Sequence, residues 1–89
     1  MQSHEDDRRR IITRLSRVEG QLRGIKTMIE NEATCEDVAH QMTAARRALD
    51  RAFYEMLACS LLTHVEGSTD TADIRASTEE LARLLVKFA

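Results

Sequence analysis

The chain has no proline and only three glycines among its 89 residues, and aromatic side chains make up 3% of it. Few positions therefore forbid a helix or demand a turn, and helices should dominate. No stretch approaches the roughly 18 to 20 continuous apolar residues of a membrane span. The N-terminus, MQSHEDDRRRIITR, also lacks the apolar centre of a secretory signal. There are two cysteines, Cys35 and Cys59, and without an export signal they read as reduced cytosolic thiols. One predicted helix separates them by roughly 36 Å, which excludes a bridge within that helix. The expected location is the cytoplasm, and the expected organisation is a single domain over residues 1–89 with residues 1–5 as a flexible tail.

A large charge of either sign is also missing. The net charge is −2, which by itself argues against nucleic acid, but the distribution does not. Arg8, Arg9, Arg10, Arg14, Arg17, Arg23 and Lys26 are opposed only by Glu19, and Arg46, Arg47 and Arg51 form a second cluster. The acids gather at residues 30–37 and 66–80. An asymmetric basic surface of this kind suits a phosphate backbone, although it also suits a solvated helix face.

What is present is hydrophobic rhythm. Ile11, Leu15, Val18, Leu22, Ile25 and Ile29 alternate steps of four and three, predicting a helix over about residues 6–30 with a bundle seam. Asp6 and Asp7 favour its start through the helix dipole. Gly20 and Gly24 cost propensity within it but permit close backbone approach. Asn31 to Thr34 read as a turn, and Thr34 with Asp37 as the capping pair of a second helix reaching about Val65. Its seam runs Cys35, Val38, Met42, Ala45, Leu49, Ala52, Met56 and Cys59. Gly67 suits its end. Asp70 or Thr71 caps a third helix over about residues 72–88, with Ile74, Leu81, Leu84, Leu85 and Phe88 on one face.

The second helix would be roughly 45 Å long, too long for a hairpin of this size to enclose. Phe53, Leu57, Leu61 and Val65 add an apolar stripe that a lone hairpin would leave wet. Dimerisation into a four-helix bundle is the economical solution.

Cys35 and His64 lie roughly 44 Å apart along that helix, so no single ion reaches both within one chain. A shared site requires a second subunit running antiparallel, and a ligand there would bridge the interface. Cys35 occupies the first turn of the helix, where unpaired amides and the positive dipole end favour an anion, so it suits a thiolate ligand or a nucleophile. The plainer reading of Cys35 is a small apolar residue closing the seam. His4 falls in the expected tail, His40 on another helical face, and Cys59 on the core seam.

Taken together, the run RIITRLSRVEGQLRGIKTMIE from Arg10, then Cys35, the AARRAL segment ending at Leu49, and LLTHV around His64 resemble the CsoR/RcnR family of metal- and thiol-responsive repressors. The likeness extends over about residues 4–88, and RLSRVEGQ (Arg14 to Gln21) carries it most specifically. It implies an all-α, three-helix protomer, an antiparallel four-helix-bundle dimer and a disc-like homotetramer without a helix-turn-helix. It further implies that the effector-free tetramer represses an operator and that effector binding releases the DNA. Arg14, Arg17 and Arg46 match positions the family uses for operator contact, and Arg8 to Arg10 extend that face.

The sensing positions match in part. The cysteine opening helix 2 is Cys35. The next position, histidine in copper, nickel and cobalt sensors, is Ser60. The last, cysteine in copper and persulfide sensors and histidine in nickel and cobalt sensors, is His64. The nickel and cobalt class adds an N-terminal histidine, and His4 is displaced from it by one residue. Formaldehyde sensors carry a second-residue proline where Gln2 stands. Copper(I) prefers softer donor sets. A borderline divalent ion, nickel, cobalt or zinc, suits Cys35, His64 and His4 better, with Ser60 and Glu80 or Glu79 as accessory groups.

The first expectation is therefore a DNA-binding repressor released by a divalent metal bound between subunits. A repressor switched by aldehyde or persulfide modification of Cys35 is the alternative. A helical interaction module that binds no DNA is the third reading. Nothing suggests an enzyme: no second catalytic group lies near Cys35 in sequence, and there is no glycine-rich phosphate loop.

Overall fold

The computed structural model describes residues 4–66 and 70–89, with side chains described for all of these except residue 4 and residues 62–66. Gly67, the expected end of the second helix, lies outside them. The described residues form three helices: α1 (His4–Glu30), α2 (Cys35–Glu66) and α3 (Thr71–Phe88). The all-α, three-helix protomer is as the sequence rhythm predicts. α1 starts at His4, earlier than expected, so residues 4 and 5 belong to the helix and not to a tail. Glu5, Asp6 and Asp7 in its first turn favour that extension through the dipole. Arg9 reaches back to Glu5 at 3.0 Å, and Arg10 to Asp7 at 2.8 Å.

The turn after α1 is a Schellman motif. The Ala33 amide donates to Met28 O at 2.9 Å and the Glu32 amide to Ile29 O at 3.1 Å. Glu32 sits at the left-handed position with φ 59°, where glycine is the usual choice. Thr34 then caps α2: its Oγ1 accepts from the Asp37 amide at 3.1 Å, and its carbonyl from Val38 at 3.0 Å. Asp70, not Thr71, caps α3, accepting from the Ala72 amide at 2.9 Å.

Each predicted seam divides in two when α1 packs on α2. Val18, Ile25, Ala45 and Ala52 are buried and Ile11, Val38 and Cys59 half-buried. This seven-residue series faces the neighbouring helix. The alternate series faces away: Leu15, Leu22 and Ile29 on α1, and Cys35, Met42, Leu49 and Met56 on α2, are all exposed.

α3 packs on the far half of α2. Phe88 meets Phe53 edge-on at 6.0 Å, and Leu57, Leu61, Leu81 and Leu84 line the cavity between the two helices. Here the structure corrects one inference. Phe53, Leu57 and Leu61 pack towards the chain's own α3, Leu57 buried and the other two half-buried, while the side chain of Val65 lies outside those described. The surface most in need of a partner is the outward series above.

The core is small. Among the described residues the buried apolar ones are Val18, Ile25, Ala45, Ala52 and Leu57, and α3 contains no buried residue. A large side chain of this kind contributes about 1.5–3 kcal/mol on burial, against about 1–2 kcal/mol of backbone entropy for every ordered residue. The radius of gyration is 17.4 Å, where a compact chain of this length would have roughly 12 Å. The protomer is a flat slab of 57 × 27 × 14 Å with an uncovered apolar face.

Candidate functional site

The two faces of the α1–α2 hairpin differ in chemistry. On one, Val18, Leu22, Ile25, Met42, Ala45 and Leu49 line an apolar groove of about 230 Å³, with Arg46 at its margin. On the opposite side, Arg14, Arg17, Gln21, Ala48 and Arg51 line a cleft of about 200 Å³. The division follows from helix geometry: Leu49 and Arg46 fall on one side of Ala45, and Ala48 and Arg51 on the other.

Of the arginines expected at DNA, Arg14 and Arg17 share the cleft, and Arg10 stands one turn before Arg14. Arg46 is not with them; it borders the apolar groove. Arg51 joins the cleft in its place. The sequence already set Arg51 in the second basic cluster with Arg46 and Arg47, but the family resemblance pointed to Arg46.

Arg14 is held across the hairpin. Its Nε donates to Glu55 Oε2 at 2.7 Å, and Arg10 Nε lies 3.8 Å from the same oxygen. Gln21, which lines the cleft, has its Oε1 buried and without a hydrogen-bond partner among the described residues.

Cys35 is exposed, the first residue of α2 and a member of the outward series. Cys59 is half-buried, on the inward series as expected. His40 is exposed, with Nε2 3.7 Å from Glu36. His64 and His4 belong to helices, but their side chains lie outside those described. Position 64 follows Met56 and Ser60 by successive four-residue steps along one flank of α2.

Ser60 and Glu80, two of the accessory candidates, are brought together. Both line a cavity of about 240 Å³ between α2 and α3, with Ser77 beside them and a leucine floor. The Glu80 carboxylate accepts from Arg83. Glu79 turns instead to Arg75 at 3.2 Å.

Among the described residues no group of three or more His, Cys, Asp or Glu side chains lies close enough to hold a metal ion. Cys35 is open to solvent at one end of a 32-residue helix, and position 64 is near the other. The donors present, one thiol and imidazoles, fit a borderline divalent ion only if a second chain supplies the far end. No described helix is long and apolar enough to cross a membrane.

Comparison with known proteins agrees with this architecture. The family model for "metal-sensitive transcriptional repressor" matches residues 7–87. The copper-sensing transcriptional repressor CsoR of Bacillus subtilis is 32% identical over 78 residues, 88% of this chain and 77% of that one. The protein of the same name from Mycobacterium ulcerans is 36% identical over 81 residues, 89% of this chain and 69% of that one. Among solved structures, the nickel-responsive transcriptional regulator InrS superposes with a TM-score of 0.75 at 32% identity, covering 91% of each chain. These relatives are transcriptional repressors and regulators, not enzymes. With residues 7–87 in one family match and the three-helix fold in common, the chain belongs to the CsoR/RcnR family of metal-sensitive transcriptional repressors.

Proposed function

We propose that this chain represses transcription as an antiparallel dimer assembled into a homotetramer in the cytoplasm, and that a divalent metal ion bound between subunits releases it from its operator. The observation that carries this reading is the position of Cys35 on the uncovered series with Met42, Leu49 and Met56. Pairing that series with a second copy running antiparallel covers the apolar groove and brings the Cys35 end of one α2 to the residue-64 end of the other. The leucines and methionines contribute the buried area, and the thiol becomes an interfacial donor.

Cys35 and the partner copy's His64 would hold the ion, with His4 as a third donor and Ser60 and Glu80 at the margin. The relatives' names point to copper and to nickel. Copper(I) favours sulfur-rich sites, whereas one thiolate with imidazoles suits nickel, cobalt or zinc. Held by Cys35 and the partner copy's position 64, an ion there would tie two α2 helices together and fix their relative slide. Arg14, Arg17 and Arg51 sit on α1 and α2, so a changed slide alters the spacing between clefts on different subunits and their match to the phosphates. Such a mechanism requires the ion to prefer the released state, and DNA then weakens metal affinity by the same factor.

The exposure of Cys35 also favours a second reading, in which an aldehyde or persulfide modifies the thiol covalently. Substitution separates them. Under metal control, His64→Ala and Cys35→Ala each abolish stoichiometric nickel, cobalt or zinc binding in equilibrium dialysis. Retention of full metal binding in both variants would remove the proposed site.

A further inference from the structure

Glu55 carries no signal in the sequence, yet it is the carboxylate that meets the arginine cleft. It stands on α2, 41 residues from Arg14, and its Oε2 accepts from Arg14 Nε at 2.7 Å while lying 3.8 Å from Arg10 Nε. A carboxylate and a phosphate diester offer a guanidinium the same thing: anionic oxygens for charge-assisted hydrogen bonds. Whatever holds one of them at Arg14 excludes the other from the same donor.

We propose that Glu55 is an internal competitor for DNA phosphate at Arg14, lowering the affinity of the cleft for DNA. This rests on reading the cleft as the nucleic-acid surface. Three features support a competitor over a structural brace. The Arg14 and Glu55 side chains keep 22% and 26% of their surface exposed, so an incoming anion can reach the guanidinium, and water can solvate the carboxylate it displaces. The pair is part-buried, not enclosed, so opening it costs less than breaking a fully buried pair. Arg10 has a second anchor in Asp7 at 2.8 Å, which leaves Arg14 as the arginine that loss of Glu55 would free. If phosphate takes Arg14, Glu55 keeps only Arg10, at 3.8 Å, and its carboxylate stands as a like charge beside the phosphate, which opposes binding a second way.

The test is fluorescence anisotropy of a labelled mixed-sequence DNA duplex at a series of salt concentrations, because arginine–phosphate pairing is independent of sequence. Wild type, Glu55→Gln, Arg14→Ala and the double variant are compared. Glu55→Gln, nearly isosteric and uncharged, is expected to bind roughly fivefold tighter at moderate salt, with a log–log salt slope steeper by about 0.9 for each additional phosphate neutralised. That tighter binding should vanish in the Arg14→Ala background.

Binding equal to or weaker than wild type, or an increase that survives without Arg14, overturns the competitor. Loss of helical circular dichroism in Glu55→Gln that Glu55→Asp restores assigns a bracing role and overturns it equally. If wild type itself shows no binding at low salt, the nucleic-acid reading of the cleft fails, and the competitor fails with it.

Discussion

Cys35 and Met56 stand on one series of α2 positions, the first at its N-terminal residue and the second three heptads on, and both are exposed in the protomer. The helix thus carries an exposed thiol and its unburied apolar residues on the same face. A surface with Met42, Leu49 and Met56 exposed at 54%, 48% and 51% is unusual for a free monomer and ordinary for a subunit interface.

Leu49→Glu should therefore separate the subunits. Sedimentation equilibrium is expected to show a shift from oligomer to monomer, with a loss of helical signal because a core this small does not sustain the fold. Ala44→Glu, on an exposed position outside both seams, serves as the control and should leave assembly unchanged. An oligomer that persists in Leu49→Glu would move the interface elsewhere.

Charge reversal in the cleft should abolish DNA binding without disturbing assembly. Arg17→Glu and Arg51→Glu are the cleaner variants, since Arg14→Glu would also set two carboxylates against each other at Glu55. A loss of at least tenfold in affinity is expected for each, about 1.4 kcal/mol. Arg46→Glu, at the margin of the apolar groove, should weaken assembly more than it weakens DNA binding. Electrophoretic mobility shift with sizing of the same samples checks both.

Two turn residues give opposite expectations for stability. Glu32 holds φ at 59°, a conformation that costs an L-residue roughly 1–2 kcal/mol, part of which glycine returns through its freer unfolded chain. Glu32→Gly is expected to stabilise by about 0.5–1 kcal/mol. Thr34→Ala removes the acceptor for the Asp37 amide and should destabilise by about 1 kcal/mol. Thermal melts at matched protomer concentration, which matters for any oligomer, decide both signs.

Helix identity was legible because the three-and-four rhythm of α1 and α2 is long and uninterrupted, and because Thr34 and Asp70 are strong caps. Which half of each seam faces inward was not legible. A heptad seam gives two alternating series the same apolar character, and only packing distinguishes Val18 from Leu22. The reach of α3 over Phe53 and Leu57 was missed for the same reason: an amphipathic helix announces an apolar face but not its partner. Cys35 was found through its place at the helix start, and its exposure fits that reading. Arg51 stood in the second basic cluster without being singled out, and Glu55 was hidden by its distance in sequence from α1, since an ion pair across a hairpin leaves no local pattern. Gly20 and Gly24 suggested a close helix approach, yet a Cβ at either would meet nothing within 4 Å among the described residues.

The central claim, that metal and DNA compete through subunit geometry, is tested most directly by titrating the reduced protein on labelled operator DNA with nickel, cobalt, zinc and copper(I) while following anisotropy. The expected result is release by a stoichiometric amount of one divalent ion, lost in Cys35→Ala and in His64→Ala. Tight DNA binding unaffected by every metal, with release instead on adding an aldehyde or a persulfide, would contradict it and make Cys35 a site of covalent sensing.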